Sequence, residues 1–291
     1  MLTENFEIAA GSIVGRFHLG QNGLLKGQNN QDAFAIHEGP QGLIMVVCDG
    51  CGSEPYSEFG ARLGADLLVA ALRTQLARGV FWGASPSEHS RVAALVWERA
   101  RQDVIAQLRV LALTLAGQGS ITEYVSSRLL FTTVAAIVTP EVTSVASIGD
   151  GYVVLNEEVQ RLGPFPDNTP PYLAYAMVDS SFSARPGSLE FQPVRVLRTE
   201  HVQSLLLASD GLEDVLACRE CEIPGRSEKL GELSQFWRND LFFKNKDALR
   251  RRLVLANSEV TKLSRGRGEL ERAQPLLKDD TTLVVLRRKV P

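Results

Sequence analysis

The sequence predicts an α+β fold in which most strands are antiparallel. Short apolar runs rich in β-branched residues and bounded by glycines predict buried strands, and they fall into two groups along the chain. Between the groups, apolar residues spaced three and four apart predict a long helix over 57–77 and a second over 85–116. Groups of strands separated by long helices are typical of α+β architectures.

Local signals in the sequence define the individual elements. The helix from 85 opens on SPSE, which supplies an N-cap, a proline in the first turn and a capping-box glutamate. The sequence GDG at 149–151 predicts a tight hairpin turn. Two further helices are predicted over 212–221 and 247–263. The predicted strands are 8–17, 33–37, 43–47, 129–138, 142–148, 152–156, 191–196, 202–208 and 281–287.

Composition sets the broad class of the protein. The chain has 291 residues, of which 44% are hydrophobic and 22% charged, as in ordinary globular proteins. A net charge of −3 and a pI near 5.9 argue against nucleic acid as a partner. No apolar run approaches the ~18 residues of a membrane-spanning helix, and residues 1–15 lack the features of a signal peptide. We therefore expect a cytoplasmic protein that does not bind membranes.

The four cysteines form two C-x-x-C pairs, Cys48/Cys51 and Cys218/Cys221. This spacing occurs in zinc sites and in redox motifs. The pairs lie far apart in the sequence, and the first pair flanks an aspartate suited to a hard metal ion. We expect structural thiols at all four positions, with a zinc or redox protein as the alternative.

Acidic residues stand at the ends of three predicted strands. Asp49 follows the run LIMVVC, Asp210 follows SLLLAS, and the acidic pair at 279–280 precedes TTLVVLR. A carboxylate buried at a strand end is costly unless it is paired or holds a metal ion. Asp32 adds a further acid where the second predicted strand begins. Because hard divalent cations take oxygen ligands, the pattern predicts that these carboxylates converge on such cations.

Six motifs also occur in the order and spacing of a known family. They are NQDA at 30–33, DGCGS at 49–53, FTTVAAIV at 131–138, IGDG at 148–151, SDGLEDVL at 209–216 and DDTTLVV at 279–285. Through them the chain resembles the metal-dependent PP2C-type (PPM) serine/threonine protein phosphatases, over about residues 13–288. The sequence GRFH at 15–18, and DGCGS in place of DGxGG, resemble a divergent bacterial branch of that family.

The resemblance implies a single phosphatase domain over 1–291, folded as an α-β-β-α sandwich of two antiparallel sheets flanked by helices. The proline-rich segment from 163 to about 185 is expected to form a flap beside the site. The implied activity is hydrolysis of phosphoserine and phosphothreonine in a partner protein, through a water activated by two Mg²⁺ or Mn²⁺ ions. The implied setting is bacterial signalling, opposite a serine/threonine kinase.

The resemblance also assigns roles to individual residues. It implies that Asp49 bridges both ions and that the Gly50 carbonyl adds an oxygen ligand. Asp210 and Asp279 complete the ligand shell of one ion, and Asp32 acts mainly through coordinated water. A glycine after the bridging aspartate lets the backbone approach the ion closely.

Two further aspartates match positions that can hold a third ion in the family. They are Asp150, in the predicted turn, and Asp214, one helical turn after the strand-end aspartate of the SDG motif. A simple turn residue is the alternative for Asp150, and an unrelated surface role is the alternative for Asp214.

Several positions depart from the family pattern. Gln31 stands where many relatives carry an acidic residue, and Gly27 where they carry an arginine that grips the substrate phosphate. Lys26 and His18 are the candidates for that grip, each with a structural role as the alternative. Cys51 replaces a histidine that protonates the leaving alcohol, and a thiol with a pKa near ~8.5 is a poor substitute. The alternative to an active phosphatase is a catalytically silent binding or scaffold module of the same fold.

Overall fold

A computed structural model of the chain describes most of its residues. Lys26 and residues 179–185 of the expected flap lie outside the described part. The described residues are 2–18, 29–79, 81, 84–178, 187–264 and 269–289.

Twelve strands occur within these ranges, and every pairing between them is antiparallel. In chain order they are β1 (Phe6–Ile13), β2 (Asp32–Gly39), β3 (Gly42–Gly50), β4 (Phe131–Val138), β5 (Val142–Ile148), β6 (Gly151–Leu155), β7 (Glu158–Leu162), β8 (Gln192–Arg198), β9 (Ser204–Ala208), β10 (Val260–Ser264), β11 (Glu269–Ala273) and β12 (Thr281–Arg288). One five-stranded sheet has the order β1-β12-β9-β6-β7, a second has the order β2-β3-β4-β5-β8, and β10 pairs with β11.

Eight helices accompany the strands in the described part of the chain. They are α1 (Leu2–Asn5), α2 (Ser57–Ala77), α3 (His89–Ala116), α4 (Ile121–Arg128), α5 (Leu212–Ala217), α6 (Gln235–Arg238), α7 (Leu241–Lys244) and α8 (Ala248–Ala256). The bounds of α2 agree with the sequence prediction. The capping box of SPSE is formed, and it leads through a short 3₁₀ turn into α3.

The two sheets pack face to face, because alternate residues of their central strands point to opposite sides. In β3, Leu43, Met45 and Val47 belong to the apolar layer between the sheets, together with Leu205 and Leu207 of β9. Both faces of β3 are covered, so the strand reads as a continuous apolar run. Full burial of each such side chain contributes about 1.5–3 kcal/mol.

Helices cover the outer face of each sheet. Ile44 and Val46 of β3 pack against α2 and α3, which cover the second sheet. On the other side, Leu206 of β9 packs with α5 to α8, which cover the first sheet. The arrangement confirms the α+β, antiparallel fold that the sequence pattern predicts and the α-β-β-α sandwich that the family resemblance implies.

None of the helices in the described ranges is by itself long and apolar enough to cross a membrane. Residues 86–116 and α4 meet the length and composition criteria only as a pair, and the two are bent by 113°. The buried stripe of α3, which includes Val96, Val104 and Leu108, instead packs into the core on the second sheet.

The predicted hairpin at 149–151 is wrong. β5 belongs to the second sheet and β6 to the first, so the chain crosses between the sheets at Gly149 and Asp150. Gly149 has a φ of +88°, in the region that favours glycine, which permits this sharp change of direction. The sequence signals a turn there, but only the pairing of distant strands decides which strands the turn connects.

The helix predicted over 247–263 ends at Ala256, because the next residues form β10. The Asn257 side chain donates to the Val14 carbonyl at 2.8 Å and accepts from the Leu277 backbone N–H at 3.2 Å. These contacts fix the chain just past the helix end. Apolar residues at 260 and 263 continue the helical spacing, which explains the error.

Candidate metal centre

Strand ends and strand connections deliver acidic side chains to one place. Asp49 is the penultimate residue of β3, and Asp32, the first residue of β2, pairs directly with it. Asp210 follows β9, and Asp279 precedes the neighbouring strand β12. Asp150 lies on the connection between β5 and β6. The two sheets together therefore gather carboxylates that are far apart in sequence.

These segments surround a cleft with a volume of about 100 Å³. Gly50 also lines it, with polar groups from Gln31 and Thr132. Among the lining residues that the structure describes, none is a lysine, arginine or histidine. The five aspartates that line the cleft are Asp49, Asp150, Asp210, Asp279 and Asp280.

Burial and mutual repulsion raise the pKa values of four of these carboxyls, those of Asp49, Asp150, Asp210 and Asp279. For Asp49 burial is the main cause, and the charges of Asp32, Asp210 and Asp150 add to it. The pKa of Asp210 rises to about 6, through burial and then the charges of Asp279 and Asp150. Burial is also the main cause of the raised pKa values of Asp150 and Asp279. The cleft is therefore a concentration of negative charge, and no positively charged side chain of the described residues lines it.

Asp32 lies just behind the cleft and is only 4% exposed. Its Oδ2 accepts a hydrogen bond from the Ser209 hydroxyl at 2.6 Å. Its buried Oδ1 has no hydrogen-bond partner within the described residues. Burial and the charge of Asp280 raise the pKa of Asp32. A buried polar atom of this kind usually bonds to ordered water or an ion, as expected for a residue that acts through coordinated water.

The residues present fit hard divalent cations. The donors are mainly carboxylate oxygens, which Mg²⁺ and Mn²⁺ prefer, and the buried Oδ1 of Asp32 still requires a partner. Clustered carboxylates with raised pKa values are stabilised most directly by a cation between them. The cleft therefore has the charge and the donor set that the sequence predicts for a metal centre.

Asp214 has a different environment from the cleft aspartates. It is not among the lining residues, and its Oδ2 accepts the backbone N–H groups of Lys278 and Asp279. The Lys278 ammonium lies 3.7 Å from Asp214 Oδ1. Asp214 thus holds the loop that carries Asp279, whereas Asp150 faces the cleft directly.

A family model described as Protein phosphatase 2C matches residues 19–251 of the chain. The chain belongs to the protein phosphatase 2C family. This result confirms the family resemblance, and five of the six motifs, including DGCGS and SDGLEDVL, lie within the matched residues. Members of the family are metal-dependent phosphatases, which agrees with the acidic cleft. A comparison with curated protein sequences finds no match.

Solved structures of phosphatases share the fold. The serine/threonine phosphatase Stp1 from Staphylococcus aureus is 16% identical, with a TM-score of 0.52 over 98% of this chain and 96% of that one. The serine-threonine phosphatase 2C from Toxoplasma gondii is 15% identical, with a TM-score of 0.54 over 98% and 95%. A bacterial serine phosphatase is 15% identical, with a TM-score of 0.51 over 98% and 99%. At these identities the likeness concerns the fold.

His18, a candidate for the phosphate grip, and Cys51, a departure from the protein phosphatase 2C pattern, both lie within the described residues. His18 is only 7% exposed and does not line the cleft, because its ring lies behind Asp280. Cys51 does line the cleft, where it contacts the hydroxyls of Ser53, at 3.2 Å, and Tyr172. Burial is the main cause of the raised pKa of Tyr172, and Cys51 adds to it.

Three cleft residues were missed by the sequence analysis. Asn168 and Tyr172 come from the expected flap, in which 3₁₀ turns at Pro166–Asn168 and Leu173–Met177 frame the lining residues. Their signal was only the proline-rich segment, which does not specify which side chains face inwards. Asp280 was noted as half of an acidic pair, but no role was assigned to it.

The raised pKa values predict opposite pH responses with and without metal. Each raised carboxyl binds a proton more readily in the folded than in the unfolded state, so acidification stabilises the metal-free protein. This contribution is present below the unfolded pKa of about 3.9 and is lost as pH rises through the folded value, about 6 for Asp210. With Mn²⁺ the response reverses, because ligands must be deprotonated.

Thermal unfolding checks this expectation. In chelator we expect a higher midpoint at pH about 5.5 than at pH about 7.5, and in excess Mn²⁺ the opposite order. A chelated protein that is more stable at the higher pH would contradict the assignment of raised pKa values to these carboxyls.

Proposed function

We propose that the chain is a Mg²⁺- or Mn²⁺-dependent phosphatase that hydrolyses phosphoserine and phosphothreonine in a partner protein. The observation that carries the proposal is the convergence of five aspartates in one cleft, four of which, Asp49, Asp150, Asp210 and Asp279, have raised pKa values. Membership of the protein phosphatase 2C family supports the reaction class. Two such ions, when bound, lower the pKa of a water molecule and screen the phosphoryl group.

The geometry supports a division of roles among the carboxylates. Asp49 pairs with Asp32 across β2 and β3 and lies within hydrogen-bond reach of Asp210, which supports a bridging role. Asp210 and Asp279 would then complete the ligand shell, and the Gly50 carbonyl would add an oxygen. Asp32 would hold a water through its Oδ1, which has no hydrogen-bond partner among the described residues. Each group contributes by orienting a ligand or water that would otherwise be mobile.

We propose that Asp150 would be a ligand of a third ion. This residue faces the cleft and carries a raised pKa, with the Arg161 charge acting in the opposite direction. Asp214 would need to give up its backbone hydrogen bonds to the 278–279 loop in order to bind the same ion.

The direct test is release of phosphate from a phosphoserine peptide. We expect turnover with Mn²⁺ or Mg²⁺ and none in chelator. If the protein binds both metals but releases no phosphate with either of them, the result would favour a catalytically silent module.

Cys51 is the observation that favours the second candidate, a catalytically silent binding or scaffold module of the same fold. This residue occupies the cleft position at which many relatives carry the proton-donating histidine, and its thiol contacts Ser53 and Tyr172 instead. A phosphoserine alkoxide needs protonation as it leaves, whereas an aryl oxide leaves without it. A weakened enzyme should therefore favour aryl phosphates over phosphopeptides.

Replacement of Cys51 by histidine should restore part of the missing proton transfer. We expect kcat on a phosphoserine peptide to rise about tenfold or more, a modest share of what general acids contribute. The rate on p-nitrophenyl phosphate should change little, because nitrophenolate is a good leaving group. Cys51→Ser is the control, and equal changes on both substrates would contradict the proton-donor explanation.

The proposed reaction implies partners and a location. A phosphoprotein substrate requires a kinase that phosphorylates it, so we propose a serine/threonine kinase as the opposing activity. We also propose a cytoplasmic location, as expected from the sequence.

A further inference from the structure

His18 and Asp280 form a buried pair in which Asp280 lines the cleft and His18 lies behind it. The two residues are 7% and 3% exposed, and His18 Nδ1 lies 3.0 Å from Asp280 Oδ1. We assign Nδ1 as the donor of this hydrogen bond, because both Asp280 oxygens already act as acceptors of backbone N–H groups. One ring nitrogen of His18 and one carboxylate oxygen each of Asp279 and Asp280 lie within 4.8 Å of one another.

Asp280 joins three separate segments of the chain. Its Oδ1 also accepts the Gly15 backbone N–H at 2.7 Å, and its Oδ2 accepts the backbone N–H of Gln31, the residue before Asp32. N–H donors therefore occupy both oxygens of Asp280. Its neighbour Asp279 is exposed to the cleft, and its Oδ1 accepts only the Asp280 N–H among the hydrogen bonds of the described residues.

The segment that carries His18 also grips the loop of Asp279 through its backbone. The Arg16 N–H donates to the Leu277 carbonyl at 3.0 Å, and the Phe17 N–H donates to the Lys278 carbonyl at 2.9 Å. The loop is thus held on one side by residues 15–18 and on the other by Asp214. The Asp280 carboxylate connects residues 15–18 to the start of β2, because it binds Gly15 and His18 as well as the N–H of Gln31, the residue before Asp32.

We propose that His18 is a positioning residue of the metal centre, which acts through Asp280 to fix the carboxylates of Asp279 and Asp32. This inference rests on the proposed function, since it concerns the same metal centre. It replaces the phosphate grip that the sequence suggested for His18, whose buried ring does not line the cleft. Outer partners of this kind typically change metal affinity by about 10–100-fold.

Two amide substitutions at the same position separate positioning from packing. In His18→Asn the side-chain amide nitrogen can occupy the place of Nδ1 and keep the bond to Asp280. In His18→Gln the amide lies one bond further out, near the place of Nε2, and the donor is misplaced. His89, also 7% exposed but on α3, provides the control substitution His89→Gln.

The readout is Mn²⁺ binding to the full chain by calorimetry, together with thermal unfolding in chelator. We expect His18→Gln to weaken Mn²⁺ binding about 10–100-fold, and His18→Asn to remain within about threefold of the unmodified protein. His89→Gln should leave Mn²⁺ affinity unchanged. Unfolding midpoints in chelator should be similar for the two His18 variants.

Three results would overturn the inference. Unchanged Mn²⁺ affinity in His18→Gln would remove the positioning role. Equal losses of Mn²⁺ affinity in the two His18 variants, together with lowered unfolding midpoints in chelator, would indicate that His18 contributes only to packing. A higher KM at saturating Mn²⁺, with unchanged Mn²⁺ affinity, would restore the phosphate grip. Failure of the unmodified chain to bind Mn²⁺ would instead defeat the proposed function itself.

Discussion

Asp49→Asn is expected to abolish metal-dependent phosphatase activity, with a loss of at least about 1,000-fold in kcat. Asp49 lies between Asp32, Asp210 and Asp150, so an amide there removes the carboxylate best placed to bridge two ions. A 1,000-fold loss corresponds to about 4 kcal/mol, within the several kcal/mol that metal ions supply to a transition state. Phosphate release at saturating Mn²⁺ measures the effect.

The same substitution should stabilise the metal-free protein. It removes one charge from a cluster in which burial and neighbouring carboxylates raise the pKa of Asp49. We therefore expect a higher unfolding midpoint in chelator at neutral pH, together with lost activity. Asp66→Asn, an exposed residue of α2, is the control and should change neither quantity. An Asp49→Asn protein that keeps its activity would refute the bridging role.

Gly211→Ala should disrupt the metal centre and destabilise the fold. A Cβ atom at Gly211 would lie 2.0 Å from the Asp280 carbonyl oxygen and 2.7 Å from Thr281 Oγ1. The first of these is a backbone atom, so the loops that carry Asp210 and Asp279 would have to separate. We expect a loss of at least about 3 kcal/mol in unfolding free energy, the upper part of the range for overpacking.

Chemical denaturation and Mn²⁺ calorimetry test this expectation together. Gly52→Ala is the stability control, since a Cβ there would meet only the Gln31 side chain, at 3.9 Å. The control should unfold close to the unmodified protein. Equal denaturation midpoints for Gly211→Ala and Gly52→Ala would contradict this expectation, because they would show that the loops of Asp210 and Asp279 can separate without a loss of unfolding free energy.

Much of the fold could be predicted because its central strands are buried on both faces. Continuous apolar runs such as 43–47 and 205–207 identify these strands without knowledge of their partners. The strand-end aspartates were equally visible, because Asp49 and Asp210 each interrupt an apolar run with a charge. The strand-end pattern predicts that these ends converge on a cation, and the order of the family motifs supports this prediction.

The remainder depends on contacts between distant segments. Asp280 binds Gly15 and Gln31 across 265 and 249 residues of sequence, and neither contact has a local signal. The crossing at Gly149 has the sequence of a hairpin turn, yet β6 pairs with β9 instead of β5. Local patterns thus locate strands and turns, whereas pairing decides which side chains share a cleft.

A crystal structure of the full chain soaked in Mn²⁺, with anomalous scattering to locate the ions, tests the central claim most directly. We expect two ions in the cleft, with Asp49 bridging them and Asp210 and Asp279 on one of the two. Occupation of the cleft by no ion at saturating Mn²⁺, or binding only at other surfaces, would contradict the claim that these carboxylates form a metal centre.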